Sequence, residues 1–156
     1  MIERLPIRRA GHADVAIVRA LSRQAYAKWV PLIGREPKPM VADYNQAVLD
    51  HIIDLWEEEG QVLALIEMIP MNDHLLIENL AVRPDKQGQG LGDRLLRHAE
   101  RLALSLRLNE LRLYTNAAFT SNLMFYSRRN YHEFRRETVV PGSVAVHMRK
   151  ILAVAQ

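Results

Sequence analysis

Leu80-Ala81-Val82-Arg83-Pro84-Asp85-Lys86-Gln87-Gly88-Gln89-Gly90-Leu91-Gly92 is the stretch on which the reading of this chain turns. An apolar strand stops at a proline, a glycine-rich turn follows, and an amphipathic helix begins at once. Such a turn leaves several backbone N–H groups unpaired at the positive end of a helix dipole. That arrangement binds phosphate. Glycines at 88, 90 and 92 permit unusual φ values and let a bulky anion approach with no Cβ in the way.

Spacing narrows the ligand. A Walker loop requires Gly-Lys followed by Ser or Thr, and the chain has no such step. The dinucleotide fingerprint Gly-x-Gly-x-x-Gly is missed by one residue at its end, since the glycines run 88, 90, 92. Gln87-Gly88-Gln89-Gly90-Leu91-Gly92 does fit Gln/Arg-x-x-Gly-x-Gly/Ala. In this it resembles the pyrophosphate loop of the GNAT superfamily, the acyl-CoA-dependent N-acyltransferases. Three nearby glycines alone would suit a plain tight turn into a helix; the flanking strand and helix supply the context the motif needs.

Similar signals organise the rest of the chain. Ile7-Arg8-Arg9-Ala10 alternates as a short first strand. Val15, Val18, Leu21, Ala25, Tyr26 and Trp29 form a helical stripe, begun at Gly11 or His12, with Asp14 favouring the dipole. Pro31, Pro37 and Pro39 mark an irregular connection, and Pro39 suits the first position of a second helix running towards Asp50. The run 52–56 suits a helix tail or a strand, and the turn signal Glu59-Gly60 favours the strand. Strands over 62–69 and 75–82 follow, separated by Pro70-Met71-Asn72-Asp73.

Leu91, Leu95, Leu96, Ala99, Leu102, Ala103 and Leu106 give a third helix one apolar face, with Asn109 as its left-handed stop. Leu111 and Leu113 alternate with Arg112 and Tyr114 in another strand. Thr120 or Ser121 caps a short helix ending near Asn130, and strands over 132–136 and 144–148 close the chain. Elements in this order imply an α/β sheet with helices on its faces. The order is similar to the GNAT fold, a mixed central β-sheet flanked by helices. The resemblance implies one N-acetyltransferase domain over residues 1–156, with its specific motifs between 76 and 134.

Composition removes several alternatives. At 156 residues the chain can bury a full core as one domain. It has no cysteine, which excludes disulfides, thiolate metal sites and a cysteine nucleophile. No apolar run approaches the ~20 residues of a membrane span, and no signal-peptide h-region opens the chain, so the cytoplasm is the expected location. The net charge of +3 comes from dispersed basic residues, with local concentrations at Arg128-Arg129 and Arg135-Arg136, both late in the chain. Without a clustered recognition helix or aromatic-interleaved basic strand, nucleic acid is not an expected partner. A polyanion such as coenzyme A explains the modest excess, as does a solvated surface. His12, His51, His74, His98, His132 and His147 show no metal-ligand spacing, so no metal is expected.

Acyl transfer from a thioester to an amine requires a proton acceptor, a polarised carbonyl and a stabilised thiolate. With no cysteine for a covalent acyl-enzyme, direct attack in a ternary complex is the natural route. Glu78 stands in the apolar run Leu75-Leu76-Ile77-Glu78-Asn79-Leu80-Ala81-Val82, where a raised pKa would suit a base. An outward-facing surface glutamate is the competing reading. Asn122-Leu123-Met124-Phe125-Tyr126, followed by Ser127-Arg128-Arg129-Asn130-Tyr131, resembles the second GNAT signature, Asn-x-x-x-Tyr-x-x-x-Gly-Tyr/Phe. The resemblance implies that Tyr126 offers its hydroxyl to the departing sulfur. A satisfied core tyrosine is the alternative. Asn130 replaces the usual glycine and also tolerates left-handed φ.

The resemblance further implies acetyl-CoA as cosubstrate. Its pyrophosphate would lie on Gln87, Gly88, Gln89, Gly90, Leu91 and Gly92. Its pantetheine would meet Asn122 and the backbone of Leu80, Ala81 and Val82 as an added strand, with a bulge near Asn79 and Leu80. Asn122 serves equally as a capping residue. The acceptor pocket would draw on Tyr26, Trp29, Arg35 and Tyr44, where aromatics beside an arginine suit a carboxylate-bearing or aromatic amine. Helix-to-sheet packing explains the same aromatics. The expected activity is acetyl transfer to a small-molecule or peptide amine, with a homodimer compatible. A catalytically silent acyl-CoA-binding module is the second reading, and Glu78 with Tyr126 argues against it.

Overall fold

The densest apolar runs pair as an antiparallel meander of β2 (Ile52–Glu58), β3 (Gln61–Pro70) and β4 (Leu75–Val82). Glu59 and Gly60, at φ 51° and 76°, make the turn between the first two. Leu63 through Met68 are buried without a break in β3, as a strand covered on both faces requires. β1 (Ile7–Arg9) pairs with β2 at one end. β5 (Glu110–Asn116), β6 (His132–Val140) and β7 (Ser143–Ile151) complete a seven-stranded sheet in the order β1-β2-β3-β4-β5-β7-β6. Among the described residues, only β4 and β5 pair in parallel. The computed structural model describes residues 5–153.

Helix α1 (Val15–Tyr26) and helix α4 (Tyr44–Asp50) cover one face, burying Val18, Leu21, Tyr44 and Ala47 against Ile53, Leu55, Leu65 and Ala81. Helix α5 (Leu91–Ser105) covers the other, setting Leu95, Leu96, Ala99 and Ala103 on Trp56, Ile66, Met68, Ile77 and Leu113. Leu95 is fully buried there, and truncation to alanine costs ~2–5 kcal/mol in such a site. Asp54 of β2 also faces α5. Its carboxylate is held by Arg9 Nε at 2.6 Å and His98 Nε2 at 2.7 Å, tying β1, β2 and the helix together.

The register of β3 on β4 slips once. Glu67 pairs with Asn79 and Met68 with Ile77, so Glu78 is the extra residue of a β-bulge. The bulge reverses the strand's parity. Ile77 faces the α5 core, and four residues on Ala81 faces the α1 core, where unbroken alternation would put both on one side. It also ends the pairing with β5, which stops at Ile77–Leu113. Beyond it the two strands part.

Local signals mispositioned several boundaries. The helix expected from Pro39 towards Asp50 is broken in two, α3 (Lys38–Val41) and α4, by an extended Ala42 (ψ 152°). Asp43 restarts it, its side chain accepting from the Gln46 N–H. Before them lies the one-turn helix α2 (Val30–Ile33), ended by Gly34 at φ 71°. Arg107, at φ 63°, stops α5 in place of Asn109. Helix α6 (Thr120–Ser127) has Phe119 at its N-cap, so neither Thr120 nor Ser121 caps it. Asn130 does take the left-handed conformation, at φ 69°.

Candidate active site

Where β4 and β5 part, the sheet opens into a cleft with two lobes. One, of about 390 Å³, is lined by Val82, Gln87, Gly88, Gly90, Gly92 and Phe125, among others. The other, of about 430 Å³, is lined by Glu78, Asn79, Tyr114, Asn116 and residues of the α2–α3 segment and the β6–β7 hairpin. Tyr26, Leu80, Asn122 and Tyr126 line both. These four mark the junction.

The first lobe is walled largely by backbone. Arg83 donates to the Leu63 carbonyl, which sets the antiparallel alternation so that Asn79 and Ala81 bond to β3. Leu80 and Val82 therefore turn their backbone groups to the open edge. Their carbonyls accept from the Tyr26 hydroxyl (3.1 Å) and Gln87 Nε2 (3.1 Å) respectively. Gly88 and Gly90 take φ 80° and 86°, and a Cβ at either would meet nothing within 4 Å, so the loop stands open. Gly92 has an ordinary φ. A Cβ there would lie 3.2 Å from the Phe125 ring, where α5 passes α6, so the ring would have to give by a few tenths of an ångström. Lys28, Lys86 and Arg129 add cations to this lobe; Arg129 is paired with Asp93 at 2.8 Å and lies 3.8 Å from the centre of the Phe125 ring. Open N–H groups, a helix start and these cations fit a pyrophosphate.

At the junction, Tyr126 is 9% exposed. Its hydroxyl has no hydrogen-bond partner among the described residues. Burial pushes the phenol well up, and nearby Arg129 only partly offsets this, so it stays protonated at neutral pH. Asn122 donates to Thr115 Oγ1 at 3.4 Å. Trp29 stacks on Phe119 (4.3 Å between centres, 17° between planes), joining the segment after α1 to the start of α6.

In the second lobe the bulge directs Glu78 towards α3. Its Oε1 lies 2.6 Å from Lys38 Nζ and accepts from the Tyr114 hydroxyl at 3.0 Å; Lys38 donates in turn to Tyr114 at 3.2 Å. Burial pulls the Lys38 ammonium down, but its bonds to Glu78 and Tyr114 outweigh that and raise it. Glu78 is thus not a carboxylate among apolar neighbours, as its sequence surroundings implied. Beyond the triad lie Arg35, Ser143 and Asn116, and then Glu137, which is held by His147 Nε2 at 2.8 Å.

The cleft gathers Glu78, Tyr126, Leu80, Val82, Asn122, Tyr26 and Arg35, with Gln87, Gly88, Gly90, Leu91 and Gly92 along its first lobe. Four expected residues depart from their assignments. Tyr44 is fully buried, its hydroxyl donating to the Pro39 carbonyl, and lines neither lobe. Trp29 lines the glycine-loop lobe rather than the acceptor lobe. Ala81 turns its side chain into the α1 core and its backbone to β3. Gln89 is exposed and lines neither lobe. Missed by the sequence reading were Lys38, Tyr114, Asn116, Ser143 and His147. For Tyr114 and Asn116 a signal existed, since both fall on the strand face opposite Leu111 and Leu113.

A family model for the acetyltransferase (GNAT) family matches residues 17–131. The chain belongs to that family. Its fold is shared with PaiA N-acetyltransferase of Thermoplasma acidophilum, solved with coenzyme A: TM-score 0.82, 16% identity, 96% of this chain and 99% of that one covered. It is shared also with ribosomal-protein-S18-alanine N-acetyltransferase of Escherichia coli (0.76, 18%, 96% and 95%). A third is a GNAT family acetyltransferase of Elizabethkingia anophelis solved with acetyl-CoA (0.71, 17%, 96% and 100%). No curated protein matches the chain in sequence. Among the described residues, no helix is long and apolar enough to cross a membrane.

Proposed function

We propose that the protein transfers the acetyl group of acetyl-CoA to a primary amine by direct attack in a ternary complex, its domain extending over residues 1–156. The observation that carries this is the continuity of the cleft. A loop suited to a pyrophosphate and a pocket bearing a carboxylate meet at the open edge of β4, beside a protonated tyrosine.

Coenzyme A would lie with its pyrophosphate on the 87–92 loop and its pantetheine along Leu80 and Val82, near Asn122. The acetyl thioester would then reach the junction. The amine nitrogen bonds to the carbonyl carbon as the C–S bond breaks. One proton must leave nitrogen and one must reach sulfur. Glu78 takes the first, directly or through water, while Lys38 and Tyr114 hold its carboxylate in position. Tyr126, kept protonated by burial, donates a hydrogen bond to the departing sulfur and keeps its own proton, so coenzyme A leaves as a stabilised thiolate and takes the second proton from solvent.

Thiol release from acetyl-CoA across a panel of amines, amino acids and peptides tests this reading. Amine-dependent release with stoichiometric acetylated product is expected. A folded protein that binds acetyl-CoA and acetylates nothing would instead be a silent acyl-CoA-binding module.

A further inference from the structure

We propose that the amine acceptor carries a carboxylate, which binds at Arg35, Ser143 and Asn116 while the amine faces Glu78. The inference rests on the acetyltransferase reading and deepens it by naming the acceptor class.

The charges of the second lobe pair off unevenly. Lys38 is matched by Glu78 at 2.6 Å, and Glu137 by Arg135 at 3.4 Å, with a hydrogen bond to His147 at 2.8 Å. Arg35 has no carboxylate within 4.0 Å among the described residues. Its Nη2 donates instead to Ser143 Oγ at 2.8 Å, a neutral partner that leaves the positive charge uncompensated at the pocket wall.

The neighbours of Arg35 are donors too. Ser143 is 7% exposed, and its Oγ also accepts from Asn116 Nδ2 at 2.9 Å. With two N–H groups directed at that oxygen, the hydroxyl proton must point elsewhere, and no acceptor for it exists among the described residues. Asn116 Oδ1 accepts from the Ala118 N–H, which fixes the amide with its nitrogen towards Ser143. A guanidinium and a free hydroxyl proton therefore meet beside a fixed amide. That set accepts an anion, and a planar carboxylate suits the guanidinium fork.

Strand β5 relates this corner to the amine end. Tyr114, which donates to Glu78, and Asn116, which donates to Ser143, are two residues apart on one strand face, or roughly 6.5–7 Å. Ile33, Pro37, Pro39, Val139 and Val144 line the pocket between and around them. An acceptor with a cationic head, a short apolar body and an anionic tail matches this sequence of surfaces. Arg35 is exposed, so an alkylamine gains nothing from it, whereas a carboxylate gains an ion pair.

The test uses matched pairs that differ only in the tail: glycine and glycinamide, β-alanine and its amide, 4-aminobutanoate and its amide, glycylglycine and its amide. Binding to the protein–coenzyme A complex is measured by calorimetry, so the result does not depend on turnover. At least one acid is expected to bind tenfold or more tightly than its amide, with the preference falling to about one in Arg35→Gln. Ser143→Ala, which keeps the charge, should lose part of the preference. Equal binding of every acid and amide, or no binding of any acid, overturns the proposal. Loss of coenzyme A binding itself would instead strike the acetyltransferase reading, and thiol release with uncharged amines alone would uphold that reading while removing the carboxylate.

Discussion

In the first lobe of the cleft, one run of chain from Leu80 to Gly92 supplies the strand edge, the loop and the helix start. Its binding groups are mainly backbone N–H and C=O. The second lobe has no such run. Lys38 comes from α3, Glu78 from a bulge, Tyr114 and Asn116 from β5, Ser143 and His147 from β7, and Arg35 from the turn after α2. Its binding groups are side chains. A ligand with a fixed phosphate end can be held by backbone geometry that few substitutions alter. A pocket assembled from side chains can change its specificity one residue at a time without disturbing the loop. The architecture separates the two tasks.

The sharpest break between the lobes should come at their junction. Tyr126→Phe is expected to lower kcat ~10²–10⁴-fold with little change in acetyl-CoA affinity. Steady-state kinetics beside calorimetry would show it. Equal losses in both would make the hydroxyl a binding group of the first lobe.

Glu78→Gln keeps the shape of the second lobe and should cost turnover by ~10²-fold at neutral pH. Wild-type turnover in this variant would transfer the proton to the amine's own ionisation or to water.

Gly90→Glu probes the first lobe alone. A side chain at φ 86° is strained, and its charge opposes the pyrophosphate, so acetyl-CoA affinity should fall by more than ~10-fold in folded protein. Unchanged affinity would move the phosphate site elsewhere.

The smallest effect concerns the scaffold beneath both lobes. Burial would raise the Asp54 carboxyl, but hydrogen bonds from His98 and Arg9 outweigh it and hold it below the usual 3.8. A depressed carboxylate contributes stability that is complete above its unfolded pKa and is lost as pH falls through the folded value. Asp54→Asn should therefore unfold ~1–3 kcal/mol more easily at pH 7. The gap should narrow as pH drops below 3.8, read by urea titration at several pH values. A gap that stays constant with pH would mean packing, not charge, explains the loss.

Much of the fold was legible because its signals are local. Apolar periodicity marked α1, α5 and most strands, and the glycine loop was visible because strand end, glycines and helix start adjoin. The broken helix at Ala42 was not, since nothing in Met40-Val41-Ala42-Asp43 forbids a continuous turn. Tyr44 looked like a pocket residue because its ring suits one; its burial follows from α4 packing on the sheet. The surroundings of Glu78 were misjudged for a similar reason. Its sequence neighbours are apolar, while its spatial neighbours are Lys38 and Tyr114.

By itself the sequence determined the α/β class, the glycine loop and the candidacy of Glu78 and Tyr126, because each depends on residues within a few turns of one another. Only the tertiary structure decided which way Glu78 faces, since a one-residue bulge in β4 sets that parity. It alone joined Arg35 to Ser143, 108 positions apart, and left that guanidinium without a carboxylate among the described residues. Pairings at that distance depend on how a sheet is ordered and where it splays, and no local periodicity encodes either.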